Sequence, residues 1–489
     1  MTTTTSRVRL IALATAGALT LAACGGGGDT DEGGENGDSL AGTTITLAGP
    51  NQWNSDPASF GPAWEALVAA FEAETGVIVE TTVLPVDQFA QTLSTQLAAG
   101  TAPELVFNQA PHEPELVTPL NEYLEAPNPF IEGNTRWWDA FEADKYGPGV
   151  AASVNADGDT EFVPFNLVAT GVFVNADIFA EVGLEAPIET WTEFIDGCGA
   201  LREAGYTPFA MDNGDLGLGW TVQTISNMLF AKYYDELNVY APDGSEGSSQ
   251  QLIAKDWARA ILSGELDATT TPEARASVEL LGEFYDACVT ENWSGVTPSG
   301  GGAVVGLDEF ASGGAAMAWG VNFGYSALEN VEFELLSMPF PTIDEEAHPL
   351  STGFEAQYGS STGGTSYMVP ATTEGVELDA AIAFLQFVSA PEHIEPWLQE
   401  TGGIPAVVDA EAAPSVAGFA EGAWGEQMLT GGMPAGPPGT TIQSVYDGYL
   451  LGQRDLDAQL AHLQEQWLAS QRTAVEDNDW ESEPWAAGP

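Results

Sequence analysis

The chain has 489 residues, with 11 Lys and Arg against 72 Asp and Glu, for a net charge of −61. That charge excludes nucleic acid and anionic lipid headgroups as natural partners. The length exceeds one ordinary core and implies two domains, and an apolar share of 44% marks a globular body, not a disordered chain.

The acids are scattered along the chain, and its only lysines are Lys145, Lys232 and Lys255. That pattern fits a solvated surface suited to strong salt, from a halophilic or salt-tolerant source, better than a dedicated cation site. At the N-terminus Arg7 and Arg9 precede an uncharged run, 10–23, that is too short and too rich in Ala, Thr and Gly to span a bilayer. Residues 1–23 therefore read as a signal peptide. The run ends in Leu21-Ala22-Ala23-Cys24, which resembles the lipobox of bacterial lipoproteins. The resemblance implies cleavage before Cys24, a diacylglycerol thioether on its sulfur, palmitate-type acylation and anchorage on the extracellular face of the cytoplasmic membrane. Residues 24–42 are dominated by Gly and acids and bury too little to order themselves, so they form a lipidated tether.

The body opens with a strand at 43–47, broken by Gly49-Pro50-Asn51-Gln52-Trp53. Pro62 then starts a helix with Trp64, Leu67, Val68 and Phe71 on one face and Gly76 as its stop. A strand at 77–83, a helix carrying Phe89, Leu93 and Leu97 and closed by Gly100, and a strand at 105–107 complete β-α-β-α-β. Such a run predicts a parallel sheet with helices over it, and ligands gather outside the carboxyl ends of its strands. That rule places Trp53, Asn108 and Gln109 on a ligand-facing edge. A second α/β run begins near 167, with a strand at 171–174 and a helix carrying Trp191, Phe194, Ile195 and Leu201. Segments 245–264 and 298–302 are mostly loop signals around short helices. Strands follow at 315–319 and 367–370, then a helix with Ala381, Ile382, Leu385 and Val388 on one face, which Pro391 is expected to stop.

Cys198 and Cys288 both fall in segments of helical spacing. In an oxidising compartment they either close a disulfide between two helices of one lobe or remain two buried thiols. Two distant cysteines and four scattered histidines are too few for a metal site, and no cofactor motif is present. There is no Gly-x-Ser-x-Gly elbow, His-Glu-x-x-His or phosphate loop, so no enzyme is expected. An extracellular glycosidase remains the enzyme alternative, although 72 acids make any pair of carboxylates uninformative. A purely structural surface lipoprotein is the other rival.

Five segments, AAGTAPELVF (98–107), VFVNADIFAEVGLEAPIETWTEFIDGCGALREAGYTPFAM (172–211), FASGGAAMAWGVNFG (310–324), GGTSYMVP (363–370) and GGIPAV (402–407), together resemble the sugar-type extracellular solute-binding proteins of ABC importers. Two departures are visible: Pro103-Glu104 stands where such proteins often have Pro-Asp, and Gly314 where a lysine is usual. The resemblance implies an α/β, two-lobed periplasmic-binding-protein-like fold with discontinuous lobes and a hinge. The lobes are expected at 43–165 with 363–408, and at 166–362 with 409–489. It further implies a monomeric receptor that closes on a mono- or oligosaccharide between the lobes and delivers it to a membrane permease.

A sugar needs aromatic plates and amide or carboxylate partners. Trp53 and Trp220 lie in loop-like surroundings, Phe323 and Tyr325 follow the AAMAW strand where the family often stacks its ligand, and Asn108, Gln109, Asn166 and Asn322 are the polar candidates. Tyr446, in a late helix, is expected to close the second lobe. A cationic or zwitterionic solute is the alternative ligand, since cation–π boxes draw on the same aromatics.

Overall fold

A computed structural model describes residues 40–50, 59–85, 88–143, 146, 153–155, 158–241, 244–249, 252–299, 303–355, 358–360, 364–421 and 436–488. Trp53, Cys24, the signal segment and all but the last residues of the tether lie outside them. From Leu40 onward the chain forms one unit.

The early helices end where glycine lets the chain turn. Strand β1 (Thr44–Pro50) leads to α1 (Pro62–Thr75), which buries Trp64, Leu67 and Phe71 and stops at Gly76, whose φ of +76° is a left-handed cap. A helix of this length is marginal alone, so the buried face, at about 1.5–3 kcal/mol per large apolar side chain, holds it in place. Next come β2 (Ile78–Leu84), α2 (Phe89–Ala99), β3 (Leu105–Phe107) and β4 (Phe162–Pro164). β1 pairs in parallel with both β2 and β3.

After β4 the chain crosses at 165–167 into β5 (Val168–Asn175), the central strand of a second sheet. Helices α3 (Trp191–Ala204), α4 (Asp215–Phe230), α5 (Ala254–Leu262) and α6 (Pro272–Ala287) surround that sheet, with β6 (Thr207–Ala210) between α3 and α4. β7 (Ala315–Val321), β8 (Leu335–Met338) and β9 (Tyr358–Ser360) follow. β5 runs antiparallel to β7, β8 and β9, while β6 and β7 are parallel.

The chain then returns to the first sheet as β10 (Ser366–Met368), antiparallel between β3 and β4. Both sheets are therefore mixed, in the orders β2-β1-β3-β10-β4 and β6-β7-β5-β8, and not purely parallel as the opening β-α-β-α-β suggests. Helix α7 (Gly375–Val388) is followed by α8 (Pro391–Thr401), and both pack on α1. Pro391 opens α8 instead of merely ending α7, because its missing N–H costs nothing in a first turn. Val407 still bridges Phe141 of the first lobe, whereas the turn Ala417–Ala420 packs on β5 and β8, so the chain crosses a third time between them. Helices α9 (Ile442–Leu450) and α10 (Leu456–Asp477) complete the second lobe.

Each lobe has an aromatic core. Trp64 meets Phe165, Phe384 and Trp397 in the first. In the second, Trp319 stacks on Phe340 at 4.6 Å and its indole N–H donates to Thr221 Oγ1 at 2.9 Å. Cys198 on α3 and Cys288 at the end of α6 form a disulfide with Cα atoms 5.1 Å apart, which resolves the alternatives left by the sequence. Among the described residues no helix is long and apolar enough to cross a membrane.

Candidate functional site

β1, β2, β3 and β4 all run in one direction, so their carboxyl ends, from Pro50 to Pro164, share one edge of the first sheet. β4 passes straight from that edge into the crossover. In the second sheet the carboxyl ends of β6 and β7, at Ala210 and Val321, lie at the same end as the start of β5, which receives that crossover. Both sheets thus turn their strand ends toward the connecting segments, the place where open α/β sheets take ligands. The connections are tied to one another: Phe165 N–H donates to the Thr365 carbonyl and Leu167 N–H to the Ile404 carbonyl, both at 2.8 Å.

On the first lobe, Asn108 is the residue just past β3; it is half-buried, and its N–H donates to the Ser366 carbonyl at 3.0 Å. Gln109 beside it is exposed. On the second lobe, Phe323 and Tyr325 sit half-buried in the turn Asn322–Ala327 that follows β7.

Trp220 lies one turn and a half into α4, tilted against the buried Trp319 with ring centroids 6.2 Å apart. It lines a cavity of about 210 Å³ with Asp215, Leu216, Gly219, Val222, Gln223 and Ile442. Leu216, 46% exposed, and Trp220 are four residues apart on one face of α4, while Asp215 and Gln223 supply a carboxylate and an amide. Asp215 Oδ1 accepts the Gln443 N–H at 3.3 Å, joining α4 to α9. Sequence reasoning missed Asp215, Leu216, Gln223 and Ile442. Their signal was faint: an acid in the first turn of a helix that follows the carboxyl end of β6.

Three of the expected ligand contacts are buried. Asn166 is fully buried in the first crossover, where its Oδ1 accepts the Thr365 N–H at 2.6 Å. Asn322 is also fully buried; its Oδ1 accepts the Ala169 N–H at 3.0 Å and its Nδ2 donates to the Gly402 carbonyl at 2.8 Å. The short Asn amide at a strand end satisfies nearby backbone groups more readily than it reaches a solute. Tyr446 is 4% exposed, and burial pushes its phenol well above the usual range. It and Ile442, one turn earlier on the same face of α9, both pack with the second lobe's core, and Ile442 also lines the cavity.

Two larger cavities, about 600 and 340 Å³, are lined by other described residues. In the first, Lys255 is held by Glu483 at 2.7 Å and the Gly244 carbonyl at 2.9 Å, over the rings of Tyr240 and Trp480. Its cation–π position is already filled by the chain's own lysine. The second runs beside Trp64 and the edge strand β2, on the outside of the first lobe.

A family model described as bacterial extracellular solute-binding protein matches residues 66–421, well over half of the chain. The chain belongs to that family. Among curated relatives, this solute-binding protein is 25% identical over 199 residues to binding proteins of Brucella abortus and Brucella suis; the match covers 39% of this chain and 44% of each relative. The apo-form of RafE from Streptococcus pneumoniae superposes with a TM-score of 0.60 at 19% identity, over 89% of this chain and 100% of that one. RafE in complex with raffinose gives 0.57 at 18% identity, over 88% and 100%. The cyclic alpha-maltosyl-1,6-maltose binding protein of Arthrobacter globiformis gives 0.55 at 19%, over 88% and 99%. These likenesses establish the two-lobed fold of the solute-binding proteins for this chain.

Proposed function

We propose that this solute-binding protein is the substrate receptor of an ABC importer. It captures a mono- or oligosaccharide between its lobes, closes by bending at the crossovers, and releases the solute unchanged to a membrane permease. The observation that carries this reading is the cavity beside the first turns of α4 on the second lobe, where the Trp220 plate and apolar Leu216 and Ile442 meet polar Asp215 and Gln223. A sugar presents this same pairing of weakly apolar faces and hydroxyls. The names of the RafE and maltosyl-maltose binding relatives support the substrate class.

On this reading Asn108, Gln109, Phe323 and Tyr325, with Trp53, supply the remaining contacts. The lobes comprise 43–165 with 363–408 and 166–362 with 409–489, and the protein acts as a monomer without a cofactor. Lipid on Cys24 holds it at the extracellular face of the cytoplasmic membrane, and its acidic surface suits a saline medium. One observation favours a second reading, a cationic or zwitterionic solute: the Asp215 carboxylate lines the same cavity as Trp220.

A thermal-shift screen of the purified protein in molar KCl, against saccharides and against betaine, choline and polyamines, tests both. Ligand at a hundredfold excess over Kd stabilises by about 2.7 kcal/mol. The expected result is a rise in Tm with a saccharide that is recovered intact, and loss of that rise in Trp220→Ala. A rise with a quaternary amine alone transfers the fold to the second reading, hydrolysis of the sugar points to a glycosidase, and silence from the whole panel sinks both binding readings.

A further inference from the structure

The geometry points to Asn322 as a positioning residue that sets the resting angle between the lobes. Besides the covalent crossovers and the apolar residues of both sheets that pack in one cluster, the Asn322 amide makes two bonds at once in a fully buried place. Its Oδ1 takes the N–H of Ala169, the second residue of β5, just past the first crossover. Its Nδ2 gives a hydrogen to the carbonyl of Gly402, which caps α8 on the first lobe. A side chain at the end of β7 in the second lobe is thereby bonded to the end of a first-lobe helix.

The contact around that bond is tight on both sides. Gly402 has φ +69°, and a Cβ there would stand 2.7 Å from Tyr325 Cβ and 2.9 Å from the Asn322 carbonyl oxygen. No larger residue fits while the Phe323 and Tyr325 turn rests on α8. The turn that carries these two aromatics is therefore held against the first lobe through Asn322 and Gly402. Asn166 differs: its Oδ1 bond runs between the first and second crossovers, and so joins hinge to hinge and not lobe to lobe. Rotation of the lobes must carry Asn322 and Gly402 together or break a buried hydrogen bond, which leaves two desolvated groups unpaired.

Asn322→Asp keeps the acceptor for Ala169 and replaces the donor by a carboxylate oxygen facing the Gly402 carbonyl. Gly402→Ala attacks the same contact from the other lobe. Small-angle X-ray scattering of the unliganded full chain is the readout, with circular dichroism to establish folding. Both variants are expected to show a larger radius of gyration than the parent. Reduction of the Cys198–Cys288 disulfide lowers stability without changing the scattering, and so controls for destabilisation alone. If Asn322→Asp does not fold, Asn322→Ala, which removes both bonds without adding charge, takes its place in the same measurement. Scattering curves of folded variants that superimpose on the parent's overturn the inference, however far Tm has fallen.

A second arm rests on the proposed sugar reading. A tenfold smaller binding-competent fraction raises the apparent Kd about tenfold for whichever saccharide shifts the parent's Tm. Absence of any shift in the parent defeats the sugar reading and leaves the scattering result standing.

Discussion

Asp447, on α9, carries a buried Oδ1 that has no hydrogen-bond partner among the described residues. Burial pushes its pKa up first, Asp215 pushes it further, and Arg454 offsets only part of this. A carboxylate whose folded pKa lies above its unfolded value favours the folded state while protonated and opposes it once charged. Above its raised pKa the charged Asp447 is thus a cost, and Asp447→Asn should raise Tm there. As pH falls through the raised pKa of Asp447 and then the ordinary carboxylate range, the parent takes up the same neutral form and the advantage should disappear. Paired thermal melts over that range test this; an advantage that persists unchanged into acid rules the explanation out. Other residues show how far the site could be seen beforehand. Trp220 was singled out from its loop-like surroundings, yet the structure sets it within α4. The burial of Asn166 and Asn322 was not legible, because an amide that bonds backbone and one that faces a solute look the same in sequence. Tyr446 stands one turn beyond Ile442 on the same face of α9, and that turn takes it from the cavity into the core.

At the scale of elements, α3 and α6 are joined by Cys198 and Cys288, 90 residues apart. Both helices also pack aromatics together, with Phe194 stacked on Phe284 at 5.9 Å, so the cross-link stabilises a contact that packing already makes. Constraining so long a loop in the unfolded chain is worth about 2–4 kcal/mol. The double variant Cys198→Ser/Cys288→Ser should remain folded and lose about that much in urea unfolding under oxidising conditions; no loss would place the bond outside the stability of the lobe. The helices that glycine ends, α1 and α2, and the strands between them were legible, since cap and apolar face agree. The antiparallel insertion of β10 beside β3 was not, because its partner lies more than two hundred residues upstream and pairing leaves no local mark. Likewise α4 escaped notice: eleven of its sixteen residues are buried, so it lacks the polar face that makes a helix visible in sequence.

At the scale of the whole molecule, charge is the dominant unbalanced quantity. The described cations are largely committed: Arg136 to Glu125, Lys232 to Glu273, Lys255 to Glu483, Arg259 to Glu265 and Arg275 to Asp457. Arg202 is bound to the Ala287 and Val289 carbonyls. Against 72 acids, such pairs neutralise a small fraction, and the remainder repel one another across the surface. Two successive α/β runs were legible from the β-α rhythm, and the two-lobed arrangement from the family resemblance, but the charge says nothing about fold; it speaks to the medium in which the fold persists. Salt shortens the reach of repulsion from about 10 Å at 0.1 M to about 3 Å at 1 M, below the spacing of most surface charges. The folded state concentrates like charge more than the unfolded chain does, so screening should favour folding. The urea midpoint is accordingly expected to rise from dilute buffer to molar KCl with an unchanged m-value. Sodium chloride should act much as potassium chloride does, since the argument needs screening and no specific cation site. A midpoint that stays level or falls with salt would mean that the acids are already compensated, and would remove the case for a saline habitat.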